Sequence, residues 1–461
     1  MIRAGFGKAD ITPRLGVELC GFGPFANRKS KAIFDIIEAR SAAMEHNGHT
    51  VLIISLDLCV ITPEIASELR SAIREKYPFL ENRDIMINVS HTHSAPAIMS
   101  QPAWGITDPV WQAMLPGRVI KSAGEALNNL EPVKVSAAEV PCRHIGLNRV
   151  YDLDSPPLDE VLQDDWEPAK PELTDTECRV IRFDSESGNL LGFMVNFGCH
   201  PVIGSRSNHH LHGDFPAVAI HRIMKEFPGS IGLFLQGAEG DVNSGCVHKG
   251  EEESLHALDI LANRFASAIR NGLSEAQELE IDGIASISRE FFFKWKPVFT
   301  FEKLDEIEKE QSAILYADDA DDASFECRMA WTYLDGIKKI RELLRQNITG
   351  TYGELHIIRV GDLQFMGIPF EVMQAIKNDI VSASGAKYPM VMSLTGGSYG
   401  YAPDNCSLQK LDKISQDGRK GNYEAIQAPL ACGQPPFADI HNELVNGMAA
   451  LEHELNKGNK R

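Results

Sequence analysis

TVLIISLDLC at residues 50–59, TPE at 62–64 and DIMINVSHTHS at 84–94 carry the reading of the fold. The first run is apolar and β-branched, which predicts a buried strand. Thr62 then offers an N-cap, Pro63 a first helical position and Glu64 an acidic first turn, so a helix is predicted to about Lys76. DIMINV is the next strand. Strand, helix and strand predict an α/β fold, with a right-handed crossover where the two strands run parallel.

The pattern continues on both sides. Further strands are predicted at 133–140, 179–183, 190–196, 231–235, 354–360, 363–367 and 388–394, and helices near 215–226, 252–271, 303–344, 372–379 and 442–457. The charged stretch 301–346 reads as a solvated helical insertion, open to a two-helix hairpin. The proline- and acid-rich segment 152–174 reads as the longest irregular loop.

Bulk properties exclude several classes. The chain has 461 residues, 43% of them apolar, and a formal net charge of −19. An acidic surface repels phosphate backbones and anionic membranes, so nucleic acid is not an expected partner. The nine cysteines are scattered with no CxxC pair, which fits free thiols in a reducing compartment. No apolar signal segment opens the chain and no transmembrane run is present, so a cytoplasmic location is expected. The oligomeric state is not legible.

Several strands run into residues capable of chemistry, and in open α/β sheets ligands sit beyond the carboxyl ends of strands. In an extended segment, His91 and His93 would face one side together and could share a metal, or one could bind it while the other handles protons. His200, in NFGCHP at 196–201, reaches a strand end in the same way. The loop HHLHGD at 209–214 holds three more histidines, read as adventitiously exposed, with Asp214 as a helix N-cap. QGAEGDVNSG at 236–245 follows another strand and offers carboxylates, an amide and a hydroxyl, or is a plain glycine-rich turn. GIPFE at 367–371 and GGSYGYAPD at 396–404 close the set. GFGKAD at 5–10 is rejected as a dinucleotide loop: it lacks the third glycine and the following helix.

Taken in order, these motifs resemble the neutral, alkaline, non-lysosomal ceramidase family. Gly5-x-Gly7-x-Ala9-Asp10-Ile11-Thr12 resembles the family's opening, and His91-Thr92-His93-Ser94 with Ala95-Pro96 resembles its HTHSGPGG signature. Leu147-Asn148-Arg149, Cys199-His200, Gly213-Asp214, Gly367 to Glu371, Tyr399-Gly400-Tyr401 and Asn422-Tyr423-Glu424-Ala425 resemble further family segments. The resemblance implies a mixed β-sheet core flanked by helices, formed as one large domain over 1–461; the family's C-terminal immunoglobulin-like domain is not expected here. It implies one Zn2+ held by His91, His200, Glu371 and Tyr401, with His93, Arg149 and Tyr423 lining the reacting centre. The implied activity is zinc-dependent cleavage of an N-acyl amide in a small-molecule or lipid-like substrate. His93 would carry a proton, Tyr423 stabilise the oxyanion, and Asp214 or Asp241 orient the metal ligands. Asn243 stands where the family carries a serine, and Ala95-Pro96-Ala97 replaces its glycines. Hydrolysis of another amide or ester at the same site, and a silent ligand-binding homologue, are the alternatives.

Overall fold

The computed structural model describes residues 1–23, 28–99, 105–152, 155–322, 324–409 and 423–458. Its larger sheet has nine strands. Eight form a continuous path: β1 (Arg3–Asp10), β2 (Glu38–His46), β3 (His49–Leu56), β4 (Ile85–Val89), β5 (Glu131–Pro141), β6 (Glu177–Ser185), β7 (Leu190–Phe197) and β8 (Ile231–Gln236). They lie in the order β8-β7-β6-β5-β1-β2-β3-β4, and the short strand Gln277–Glu278 pairs with β5. Two neighbouring pairs are parallel, β3 with β4 and β7 with β8. Each parallel pair is joined through a helix, α1 (Pro63–Lys76) for the first and α3 (Asp214–Glu226) for the second, with α2 (Pro109–Asn128) between them in the chain. The α1 start is the predicted one: Thr62 caps it through its side chain, which accepts from the Ile65 N–H, and Pro63 follows.

A second sheet packs on the first. It contains β9 (Ile284–Lys294), β10 (Gly350–Val360), β11 (Leu363–Gly367) and β12 (Tyr388–Met392), in that order. The alternation of side chains along each strand separates two cores. On β3, Val51 and Ile53 meet Ile358, Phe365, Met390 and Met392 between the sheets. Leu52 and Ile54 turn the other way, against Trp111, Leu115 and Val119 of α2. Helix α4 (Glu251–Glu275) continues that helical layer over β5 and β6. The outer face of the second sheet is covered by α6 (Phe325–Arg345), α7 (Gln374–Ala383) and α8 (Ile440–Gly458), after α5 (Phe301–Leu315), which packs on α6. The result is four layers: helices, sheet, sheet, helices. The hairpin over 301–346 is therefore part of a core: Leu334, Ile337 and Ile340 of α6 are buried there.

β1 and β2 carry no strand signal in the sequence, and the packing says why. Gly5 and Gly7 face α2 so closely that a Cβ on either would lie 2.2 Å from a helix carbonyl oxygen, of Ala126 or Ser122. The glycines that resembled a nucleotide loop are thus the floor of a helix–sheet contact. Two buried asparagines stitch the sheets together at the strand ends. Asn88 donates to the Ser393 carbonyl at 2.6 Å and accepts from the Gln236 N–H at 2.9 Å. Asn196 donates to the Leu235 and Val391 carbonyls at 3.1 and 3.2 Å.

Gly7→Ala is expected to destabilise the fold by about 1–3 kcal/mol, the usual cost of overpacking a close contact. Urea unfolding checks it; an unchanged midpoint would show that α2 can retreat freely.

Candidate active site

The carboxyl ends of β4, β7 and β8 and the short strand Glu371–Val372 meet at one place. His91 follows β4 and His200 follows β7, as the strand-end reading expected. The segment holding His91 and His93 is not extended, however. His91 has φ 66°, a conformation rare for a side chain with a Cβ, and its N–H donates to the Leu58 carbonyl at 2.8 Å. The chain kinks there, and the two rings still meet, 4.8 Å between centroids. The turn that receives His91 is anchored from below by a buried ion cluster, in which Arg40 donates to Asp57 at 2.9 Å and to Glu38 at 3.0 Å.

Each of the two strand-end histidines has one nitrogen occupied. His91 Nδ1 donates to the Cys59 carbonyl at 2.6 Å, and His200 Nδ1 to the Glu239 carbonyl at 2.5 Å. Their Nε2 atoms then point at Glu371 Oε2, at 3.5 and 3.3 Å. The three atoms lie within 4.8 Å of one another. His200 Nε2 and Glu371 Oε2 are buried and have no hydrogen-bond partner. Buried polar atoms are ordinarily satisfied, so these orphaned acceptors fit a cation. Burial lowers His91, but the Glu371 charge outweighs it and pushes His91 up to about 9. Burial holds His200 down at about 4. Glu371, despite burial, is held well below the usual carboxylate range by the two imidazoles.

Cys59, His91 and His93 form a second, overlapping group of three. It fits a cation less well. The Cys59 thiol is pushed up by its neighbour Cys20 and by burial, which keeps it protonated. His93 Nδ1 accepts from the Phe22 N–H at 3.2 Å, and its Nε2 lies 3.2 Å from His91 Nε2.

Beside the histidines stands a second constellation. Arg149 donates from Nε to Glu424 at 2.8 Å, from Nη1 to Asn243 Oδ1 at 3.3 Å and from Nη2 to the Gly240 carbonyl at 2.8 Å. Its guanidinium lies 5.3 Å from the Tyr401 ring centre and 5.7 Å from that of Tyr423. Tyr401 pairs in register with Glu371, which places the phenol beside the carboxylate. Burial, and then the Glu371 charge, push the Tyr401 phenol well above its usual value. Asn243 is brought against His200 by a parallel bridge. All eight residues singled out from the sequence thus fall in one neighbourhood.

Other expectations change. Asp214 is the first residue of α3 rather than its cap, with φ 57°, and its carboxylate accepts from the Gly204 and Phe215 N–H groups. Asp241 accepts from Asn148 and from the Gln374 N–H. Neither orients a candidate ligand; backbone carbonyls of Cys59 and Glu239 do, and no side-chain signal could have announced them. His212 is fully buried instead of exposed, and among the described residues no three-ligand group forms at 209–214. Glu239 was seen only as one carboxylate of a loop. It is wholly buried, and burial pushes its carboxyl up to about 8. Asn422 lies outside the described residues.

Comparison with known proteins narrows the family. The model of the neutral/alkaline non-lysosomal ceramidase N-terminal region matches residues 2–249. Neutral ceramidase of Oryza sativa subsp. japonica is 24% identical over 274 residues, which are 58% of this chain and 33% of that protein. Neutral ceramidase A of Dictyostelium discoideum is 26% identical over 218 residues, 43% of this chain and 30% of that one. The chain therefore spans about a third of the length of these relatives. Among solved structures, neutral ceramidase from Pseudomonas aeruginosa superposes with a TM-score of 0.71 at 18% identity, covering 98% of this chain and 75% of that one. That likeness is one of fold, and Glu371, Tyr401 and Tyr423 lie beyond the residues the family model matches. With more than half its length under that model, the chain belongs to the neutral/alkaline non-lysosomal ceramidase family.

Proposed function

We propose that the chain is a zinc-dependent hydrolase that cleaves an N-acyl amide bond. One observation carries this reading: His91 Nε2, His200 Nε2 and Glu371 Oε2 converge within 4.8 Å while each imidazole is fixed by a carbonyl at its other nitrogen. Two imidazoles and a carboxylate suit Zn2+, and Tyr401, in register with Glu371, would complete the set. When bound, zinc supplies a Lewis acid that polarises a carbonyl and acidifies water at neutral pH.

The chain's own residues account for the rest. Water adds its oxygen to the acyl carbon, and its proton ends on the departing amine. His93 presents Nε2 to the centre: Nδ1 accepts from the Phe22 N–H, which fixes the ring and leaves the ring hydrogen on Nε2, so His93 donates a hydrogen bond there to the amide nitrogen as it departs. Tyr423 donates its phenol hydrogen to the developing oxyanion, and burial keeps that phenol protonated. Arg149 is held by Glu424 and Gly240 and orients polar groups of the substrate between the two tyrosine rings. Asn243 accepts from Arg149 through Oδ1, so its amide N–H groups are left as donors. A donor is what a catalytic position needs if the family serine there only orients or polarises. This favours turnover over the silent-binder alternative, and the family relation favours ceramide or a ceramide-like N-acyl lipid among substrates.

Purified protein is expected to hold about one zinc per chain. His91→Ala and His200→Ala should each strip most of it, read by elemental analysis after desalting. Full zinc content in both variants would remove these residues from the metal site.

Asn243→Ala is expected to lower turnover of short-chain N-acyl amides by about 10²–10³, the scale of one lost oxyanion donor, with zinc content unchanged. Equal rates in wild type and variant would take Asn243 out of the mechanism. An inactive wild type that gains activity as Asn243→Ser would instead identify a silent homologue.

A further inference from the structure

The orientation of the His93 ring is set by a turn that carries no chemistry of its own. Three successive residues there have positive φ: Gly21 at 92°, Phe22 at 61° and Gly23 at 69°. For Phe22, which has a Cβ, that conformation is strained. The turn is pressed against the imidazole. A Cβ on Gly21 would lie 2.3 Å from His93 Cγ. The Phe22 N–H donates to His93 Nδ1 at 3.2 Å, and the Phe22 ring packs on the imidazole edge to face, 4.8 Å between centroids.

One side chain holds both ends of this contact. Arg28 is buried, and its Nη1 donates to the Cys20 and Gly21 carbonyls at 3.2 Å. The Gly21 carbonyl and the Phe22 N–H belong to one planar peptide group, so Arg28 grips and polarises the same amide that bonds His93. Its Nη2 donates to the His93 carbonyl at 2.8 Å, on the residue that bears the ring. The guanidinium also lies 4.9 Å from the centre of the Phe22 ring. Arg28 is anchored in turn: its own carbonyl accepts from the Leu19 N–H at 2.8 Å, and the Cys20 N–H donates to the Ala95 carbonyl at 2.9 Å. A planar fork can span three carbonyls in this way, whereas an ammonium group has no fixed fork. A cation buried on carbonyls is costly, and a loop that only had to be filled would be better served by an apolar residue.

We propose that Arg28 is the positioning residue of His93. By holding the Gly21–Phe22 peptide group and the His93 carbonyl together, it keeps Nδ1 an acceptor and the ring hydrogen on Nε2, the nitrogen that lies 3.2 Å from His91 Nε2. Arg28 acts through His93 and needs no contact with substrate. The use of that hydrogen, donation to the departing amide nitrogen, rests on the amide-hydrolase reading; the position of the hydrogen does not.

The test uses the full-length, zinc-loaded protein with isotope-labelled histidine and reads the imidazole nitrogen shifts by NMR, with His93→Gln to assign the His93 signals. Wild type should show a bare Nδ1 and a protonated Nε2. In Arg28→Lys and Arg28→Gln the two His93 nitrogens should move towards one averaged shift as the tautomers mix, while zinc content and the signals of the other histidines stay in place. For a short-chain N-acyl amide, kcat should fall by about ten- to a hundredfold with KM little changed, the scale of a misplaced catalytic group. A wild-type ring with its hydrogen on Nδ1 overturns the proposal, as does an Nε2–H tautomer that survives in both variants. If all histidine signals move, or neither variant folds, Arg28 serves the fold at large and the proposal falls. Mixed tautomers with no turnover even in the wild type uphold the positioning and overturn the hydrolase reading. Mixed tautomers with kcat intact uphold the positioning and take His93 out of the reaction. Amide turnover with a ring signature that the variants leave untouched upholds the hydrolase reading and overturns the positioning.

Discussion

Three electron-rich atoms meet at one buried point, and much of the molecule is arranged to hold them there. Two imidazole lone pairs and a carboxylate oxygen repel one another unless something positive stands between them. The convergence is held by features that cost free energy elsewhere. His91 adopts a left-handed backbone conformation, and the turn before it rests on Arg40, Asp57 and Glu38, all buried. Such features persist only where surrounding structure over-determines them.

The donors come from both sheets. His91 and His200 end strands of the larger sheet, while Glu371 follows β11 of the smaller one. Asn88 and Asn196 lock the two sheets at that end through carbonyls on both. The distance between the sheets therefore sets the distance between the imidazoles and the carboxylate. A bound cation would in turn tie the sheets together, so metal binding and stability should be linked.

Much of this was legible, for identifiable reasons. The β3, α1 and β4 unit announces itself because β3 and β4 are packed on both faces, which demands unbroken apolar runs, and because Thr62 and Pro63 mark the helix start. β1 and β2 stay silent because close contact with α2 selects glycine and alanine in place of β-branched residues. The candidate ligands are visible because chemistry at strand ends leaves polar residues after apolar ones. What orients them is invisible, because the orienting groups are backbone carbonyls of Cys59 and Glu239. The side chains expected in that role, Asp214 and Asp241, satisfy backbone N–H groups instead. Phe22 and Arg28 lie in a loop without a motif, and only the fold brings them against His93.

X-ray absorption at the zinc edge of the metal-loaded protein tests the central claim most directly, because the two overlapping donor groups differ in one element. Coordination by His91, His200 and Glu371 should give a shell of nitrogen and oxygen at about 2.0–2.2 Å, with the outer scattering of two imidazoles and no sulfur. A sulfur at about 2.3 Å would place the metal on Cys59 with His91 and His93, and would contradict the account of the site given by its orphaned acceptors.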